Sequence, residues 1–166
     1  NDPNELITHI TYIKSPEFVR MLQILMGKEK FVESLHLYHT RYAHGNATSK
    51  QWLECMEEGS GLKLQDMAHT WLKKTGFPIV EIKKEFNETK KELVLTLNQT
   101  NAEDTPWEFP FSVAVFDKNG KKLVEKLERV NSKEYKITFL NIEDVGFVSV
   151  NRGYSFYGKV IYPESK

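Results

Sequence analysis

The hydrophobic positions follow two different spacings along the chain. Up to about residue 76 the apolar residues recur three or four positions apart, which is the spacing of one face of an α-helix. After Pro78 they alternate with polar residues, as in β-strands with one buried side. We therefore expect an α+β chain, with a helical segment over residues 1–78 and an immunoglobulin-like or fibronectin-like antiparallel β-sandwich over residues 79–166.

The first segment predicts about four helices. Ser15-Pro16 predicts the start of the first helix, because serine caps a helix and proline fits its first turn, and Gly27 predicts its end. Thr48 and Gln51 have the spacing of a capping box at the start of the third helix. The four apolar faces are Phe18, Met21, Leu22 and Leu25; Phe31, Leu35, Tyr38 and Tyr42; Trp52, Leu53 and Met56; and Leu64, Met67, Ala68, Trp71 and Leu72.

About seven short strands are predicted after Pro78. Asn119-Gly120 indicates a tight hairpin turn between two of them, because this pair tolerates the positive φ angles that such turns require. Strands this short and this numerous are typical of a sandwich of two sheets. The predicted strands are residues 79–86, 92–99, 109–116, 121–129, 134–140, 147–151 and 158–162.

The charge balance and the cysteine content argue against several classes of function. Lys plus Arg and Asp plus Glu both number 23, so no net field attracts nucleic acid, and nucleic-acid binding is not expected. No apolar run approaches the roughly 20 residues of a membrane span. Cys55 is the only cysteine and is expected to be a small buried hydrophobe. With no visible signal peptide, the cytoplasm is the favoured location.

The titratable residues by themselves predict no catalytic site. Zinc hydrolysis would need a helical His-Glu-x-x-His pattern, which the sequence does not contain. His36, His39 and His44 have no carboxylate interleaved as a base, so we expect exposed helical histidines. Glu57 and Glu58 are expected to lie solvated at a helix end. From the residues alone, a helical segment and a sandwich follow, without an assigned chemistry.

Three stretches, however, resemble the zinc aminopeptidases of the alanyl aminopeptidase or aminopeptidase N type, which are gluzincins. Residues 12–16, Tyr-Ile-Lys-Ser-Pro, are similar to the family's Tyr-x-Lys-Gly-Ala segment, and Arg20-Met21-Leu22 follows as in the family's next helix. Residues 27–80 are similar in order and spacing to the helical end of the catalytic domain. The stretches similar to the β-domain that follows it are residues 95–99, 109–115 and 152–155.

The resemblance implies peptide hydrolysis from the amino terminus. In the family, a zinc ion bound by two histidines and a glutamate polarises the scissile carbonyl and a water, and another glutamate acts as the base. A tyrosine hydroxyl, from the first residue of the Tyr-x-Lys motif, donates a hydrogen bond to the oxygen that becomes negative. This role maps onto Tyr12, the one catalytic residue that the resemblance assigns to this chain.

The same resemblance implies that the zinc ligands and the base lie upstream of the tyrosine. We therefore expect zinc in the intact enzyme, no metal or other cofactor in this chain, and no activity from this chain alone. The expected partners are peptide substrates and the remainder of the catalytic domain, with no nucleic acid and no membrane span. Two departures from the family pattern are Ser15-Pro16 in place of Gly-Ala and Phe156-Tyr157-Gly158 in place of an Ala-Pro turn.

An alternative from another class is a non-catalytic protein-interaction or scaffolding module, in which Tyr12 is a partly buried aromatic residue before a helix cap. The two hypotheses differ in what the first helices expose. A part of a larger catalytic domain should expose an apolar face, for which Phe18, Leu22, Phe31 and Leu35 are the candidates. A self-contained module should close its helical core instead.

Overall fold

A computed structural model describes residues 9–102 and 105–163, with side chains from Tyr12 onward. The chain forms two compact units, Asn1–Lys74 and Thr75–Lys166. Four helices followed by a two-sheet β-sandwich confirm the predicted α+β class. No helix in the described ranges combines the length and the apolar character needed to cross a membrane.

The helical unit consists of four α-helices in its described part. They are α1 His9–Met26, α2 Lys28–Arg41, α3 Ser49–Ser60 and α4 Gln65–Lys73. The predicted capping box forms at the start of α3, where the Thr48 side chain accepts from the Gln51 N–H and the Gln51 side chain accepts from the Thr48 N–H. The core of the unit is built from Phe18, Met21, Leu22, Met26, Phe31, Leu53, Cys55, Met56, Leu64, Met67, Ala68 and Trp71.

The predicted start of the first helix is wrong. Helix α1 begins at His9 and runs through Ser15 and Pro16, so Tyr12 lies on the helix and not ahead of it. Proline has no N–H to donate to the carbonyl four residues before it, which here belongs to Tyr12. Pro16 and Tyr12 are both exposed, so water can hydrate that carbonyl and the helix tolerates the proline. The proline therefore removes one helical bond without ending the helix.

The apolar face expected to be exposed on the first helices is closed. Phe18, Leu22 and Phe31 are 2%, 0% and 8% exposed, which contradicts the prediction, and Leu35 is half-buried. These residues turn inward because they share the face that each helix presents to the core of the unit. Among the side chains described from residue 12 onward, the large apolar ones that this unit exposes are Tyr12, Ile13, Val19, Val32 and Leu72.

The second unit is a β-sandwich of a four-stranded and a three-stranded sheet. The strand orders are β5-β2-β1-β7 and β4-β3-β6. All pairs are antiparallel except β1 with β7, which is parallel. The strands are β1 Ile79–Asn87, β2 Glu92–Gln99, β3 Phe109–Phe116, β4 Lys122–Val130, β5 Glu134–Leu140, β6 Phe147–Val150 and β7 Lys159–Ile161.

The segment that departs from the family pattern after β6 completes the sandwich core. Phe156 is 1% exposed, and its ring stacks on that of Phe109 with centroids 4.3 Å apart. A Cβ on Gly158 would lie 2.6 Å from the Pro78 carbonyl oxygen, so a side chain there would clash with the backbone of the neighbouring segment. The next residue, Lys159, donates its N–H to that same oxygen and begins β7. The segment that departs from the family pattern therefore supplies a core aromatic residue, Phe156, and then a glycine, Gly158, where two backbone segments lie close together.

Candidate functional site

Tyr12 presents its side chain to solvent from the first half of α1. The residue is 69% exposed, and its neighbour Ile13 is 50% exposed. The expectation that Tyr12 could be a partly buried aromatic before a cap therefore does not describe its environment. An exposed phenol keeps its hydroxyl available to donate a hydrogen bond to a bound molecule.

Lys14 joins this part of α1 to the end of α4. Its ammonium nitrogen donates to the Lys74 carbonyl oxygen at 2.5 Å and lies 6.0 Å from the centroid of the Trp71 ring. Trp71 is only 1% exposed. Lys14 is half-buried, and this burial lowers the pKa of its ammonium group from the ordinary value.

An ion pair occupies the turn of α1 that follows Lys14. Arg20 donates from Nε at 2.9 Å and from Nη2 at 2.6 Å to the same carboxylate oxygen of Glu17. The two residues are three positions apart, and both are half-buried. Because each satisfies the other's charge, neither is a strong candidate for binding a charged substrate group.

A groove of about 330 Å³ opens beside the middle of α1. Ser15, Phe18 and Val19 form its α1 side. Tyr12 does not line it. The remaining lining residues come from the other helices and the segment before α3: Tyr38, Ala47, Thr48, Ser49, Trp52, Leu53 and Leu72.

The described residues offer no donor set that fits a zinc ion. His36 and His39 are exposed on α2, as predicted, whereas His44 is exposed in the turn after that helix, so its predicted helical position is wrong. Within residues 9–102 and 105–163, no three His, Cys, Asp or Glu side chains come together in a way that could hold a metal ion. Cys55 is fully buried, as predicted for a small hydrophobe. No step through a metal is therefore derived from these residues.

Glu57 was expected to be solvated, and this prediction is wrong. The residue is half-buried and accepts hydrogen bonds from the N–H groups of Leu64 and Gln65 at 2.5 and 3.2 Å. These groups belong to the start of α4, where the N-cap residue Leu64 has no side-chain oxygen. Burial opposes ionisation of Glu57, but the hydrogen bonds from Leu64 and Gln65 together lower its pKa. Glu57 thus caps a neighbouring helix.

Glu58 does lie at the surface, as predicted for it. Arg41 approaches it with two nitrogens, at 2.9 and 3.0 Å from the two carboxylate oxygens. The hydrogen bond from Arg41 lowers the pKa of Glu58. The two adjacent glutamates therefore have different structural roles: Glu57 binds the N–H groups at the start of α4, and Glu58 pairs with Arg41.

The contact of Lys14 is the feature of this site that the sequence did not indicate. Lys14 belongs to the Tyr-x-Lys motif, and its partner Lys74 is 60 positions away. A spacing rule within one helix cannot detect such a pair. The sequence offers only two separate hints of this contact: a lysine within the motif, and a predicted helix end near residue 74 whose free carbonyls can accept a hydrogen bond from a cation. The folded unit brings the two together.

Comparisons with known proteins match both units. Residues 1–71 match the Peptidase family M1 domain, and residues 76–163 match DUF3458, described as a domain of unknown function with an Ig-like fold. The chain is 31% identical over 124 residues to aminopeptidase N of Escherichia coli strain K12, which covers 71% of this chain and 14% of that relative. It is 28% identical over 159 residues to aminopeptidase M1-A of Oryza sativa subsp. japonica, covering 89% of this chain and 18% of the relative.

A solved structure agrees with the sequence relatives. The crystal structure of Legionella pneumophila aminopeptidase A in complex with aspartic acid matches with a TM-score of 0.89 at 26% sequence identity. The match covers 97% of this chain and 19% of that one. The chain therefore spans between 14% and 19% of the length of these three relatives.

Proposed function

Since this chain belongs to peptidase family M1, we propose that it forms part of a zinc aminopeptidase that removes amino-terminal residues from peptides. The relatives named above are aminopeptidases, which supports hydrolysis of peptides from that end. The chain spans less than a fifth of each, which supports a role as one portion of a larger enzyme. The described residues do not fit zinc, so the proposal places the metal ligands and the base outside them.

The contribution that we propose for this chain is the hydroxyl of Tyr12. The phenol donates a hydrogen bond to the substrate oxygen as that oxygen becomes negative in the tetrahedral intermediate. Such a donor accelerates the reaction because it binds the developing charge more strongly than the ground-state carbonyl. The observation that carries the proposal is the 69% exposure of Tyr12, within a segment that matches the family's domain.

The direct test is the variant Tyr12→Phe in the full-length protein that contains this chain. Removing one oxyanion donor typically lowers kcat by about 10²–10³. We expect a loss in that range with little change in KM, because the ring remains and only the transition-state contact is removed. Tyr154→Phe is the matched control, since Tyr154 is 81% exposed and lies in the other unit. Unchanged kcat in Tyr12→Phe would contradict the proposed role.

One observation favours the second candidate, a non-catalytic interaction module. Phe18, Leu22 and Phe31 close the helical core, which is what that hypothesis predicted. The two candidates separate in an assay of the full-length protein on aminoacyl p-nitroanilides, before and after removal of zinc with a chelator. Zinc-dependent release of p-nitroaniline supports the peptidase. A full-length, zinc-loaded protein that releases none supports the module.

A further inference from the structure

The side chains from Tyr12 to Glu17 lie outside the buried core of the helical unit. Each of these six side chains is exposed or half-buried, whereas the next one along the helix, Phe18, is buried. Pro16 also removes the helical hydrogen bond that would end on the Tyr12 carbonyl. Apolar packing therefore fixes residues 18–26 of α1 better than residues 12–17, which include Tyr12.

Lys14 supplies an anchor within residues 12–17. Its ammonium group donates to the carbonyl of Lys74, the residue that caps the C-terminal end of α4. The carbonyls at a helix end have no partner within the helix, and the helix dipole favours a cation there. The ammonium also lies 6.0 Å from the centroid of the Trp71 ring, at the distance of a cation–π contact. Both partners belong to a helix that the core holds in place.

Lys14 and Tyr12 lie on nearly opposite sides of α1. Successive residues of an α-helix are about 100° apart around its axis, so positions 12 and 14 differ by about 200°. When Lys14 points to the end of α4, Tyr12 points to nearly the opposite side of α1. The 69% exposure of Tyr12 and the half-buried state of Lys14 agree with this geometry.

We propose that Lys14 is a positioning residue for Tyr12: its contact with the C-terminal end of α4 sets the rotation of α1 about its axis and so directs the phenol toward the substrate. The inference rests on the proposed function of Tyr12. Lys14 itself touches neither substrate nor reacting atoms in this scheme. Its effect on catalysis passes through Tyr12 alone.

The anchor is tested first on the chain itself. Lys14→Met keeps the apolar stem beside Trp71 and removes the ammonium, whereas Lys14→Arg keeps a cation that can reach the same carbonyl. Lys73→Met is the matched control, because Lys73 is an exposed lysine in the last turn of α4. We expect amide hydrogen exchange at residues 12–15 and 17 to be faster by at least about fivefold in Lys14→Met, with residues 21–26 unchanged. Equal exchange in Lys14→Met and Lys73→Met would overturn the anchor.

The link to catalysis is tested by a double-mutant cycle in the full-length protein. We expect Lys14→Met to lower kcat by about 10- to 100-fold with KM nearly unchanged, and Lys14→Arg to restore most of it. In a Tyr12→Phe background, Lys14→Met should cause no further loss, because no phenol is left to direct. A Lys14→Met loss of the same size in both backgrounds would show a general structural effect and overturn the inference.

The outcomes for the two proposals are separate. If Tyr12→Phe lowers kcat and Lys14→Met does not, the positioning role is wrong and the role of Tyr12 stands. If Tyr12→Phe leaves kcat unchanged, the proposed function of Tyr12 is wrong and the positioning role is wrong with it. The exchange experiment still reports in that case whether Lys14 anchors α1.

Discussion

At the scale of single residues, local sequence does not show which side chain caps α4. The N-cap residue Leu64 has no oxygen to offer, and its N–H is instead bound by Glu57 from the preceding helix. The capping box of Thr48 and Gln51 could be predicted because both members lie within one turn. The cap formed by Glu57 could not be predicted in this way, because Glu57 is seven residues before Leu64, whose N–H it accepts. The contact between Lys14 and Lys74, 60 positions apart, could not be predicted from local sequence for the same reason.

The variant Glu57→Gln tests the charged cap and its pH dependence. The folded state lowers the pKa of Glu57 below its unfolded value of 4.5, so the carboxylate stabilises the fold above that pH. We expect Glu57→Gln to lower the free energy of unfolding by about 0.5–1 kcal/mol at pH 7, since it removes a negative charge at a helix N-terminus. The difference from the parent should shrink as the pH falls below about 4.5, through the lowered pKa.

Urea unfolding at a series of pH values measures this difference. Glu54→Gln is the control, because it removes the same charge from an exposed position of α3 whose Lys50 partner is 3.8 Å away. Exposed pairs of this kind contribute little, so its effect should stay within about 0.5 kcal/mol. A Glu57→Gln effect that is equally large at pH 3 and pH 7 would contradict the charge argument.

At the scale of elements, the strands follow directly from the sequence and the first helix does not. Alternation identified the seven strands to within a residue or two. In β2 the buried residues alternate as expected for a strand with one buried face, whereas β3 is buried on both faces and its large apolar residues alternate with small ones. Pro16 was interpreted as a first-turn proline, yet the exposed side of α1 accommodates it within the helix. The parallel pairing of β7 with β1 also lay beyond local pattern, since it depends on how the chain crosses between sheets after β6.

The variant Thr48→Ala tests the cap of α3. Its side chain accepts the Gln51 N–H at 3.2 Å, and the Gln51 side chain accepts the Thr48 N–H at 2.8 Å. Loss of the capping oxygen should lower the free energy of unfolding by about 1 kcal/mol. Ser49→Ala is the control at the first exposed helical position. Equal effects of the two variants would show that the capping box is energetically irrelevant.

The variant Gly59→Ala tests how closely α2 and α3 pack. A Cβ on Gly59 would lie 2.2 Å from Ser34 Oγ and 3.1 Å from Ser34 Cα. Alanine is normally better than glycine in a helix by about 1 kcal/mol, but here we expect Gly59→Ala to destabilise by about 1–3 kcal/mol through overpacking. Ser34→Ala in the same chain should relieve part of that cost.

Thermal unfolding measures the Gly59 effect. Gly45→Ala serves as the comparison, because the nearest atom to an added Cβ there is 3.7 Å away. A Gly59→Ala protein that is more stable than the parent would show that the helices separate at low cost, contrary to the packing described above.

At the scale of the whole molecule, sequence and comparisons agree on the family, and the chain supplies only part of the catalytic apparatus that we propose. The Tyr-x-Lys segment could be identified from sequence because its members lie within three residues. The exposed apolar residues could not be identified from the sequence. Phe18, Leu22 and Phe31, which were expected at the surface, close the core, whereas Tyr12, Ile13 and Leu72 are exposed. Which members of an apolar stripe reach the surface depends on where the neighbouring helices end.

The chain alone should neither bind zinc at a catalytic site nor hydrolyse peptides. Across residues 9–102 and 105–163 no metal-binding group of side chains forms. A site with zinc at 100 times its Kd would stabilise the fold by about 2.7 kcal/mol, which raises Tm measurably. We expect Tm of the chain to be the same with zinc and with a chelator, and aminoacyl p-nitroanilides to remain intact. A zinc-dependent rise in Tm, accompanied by hydrolysis, would contradict this prediction.

The affinity of the full-length protein for a phosphinic dipeptide, an analogue of the tetrahedral intermediate, tests the role of Tyr12 most directly. If the phenol binds the developing negative charge, Tyr12→Phe weakens this affinity by the same factor, about 10²–10³, by which it lowers kcat/KM, while KM for the substrate stays nearly constant. The central claim is contradicted if Tyr12→Phe binds the analogue as tightly as the parent does.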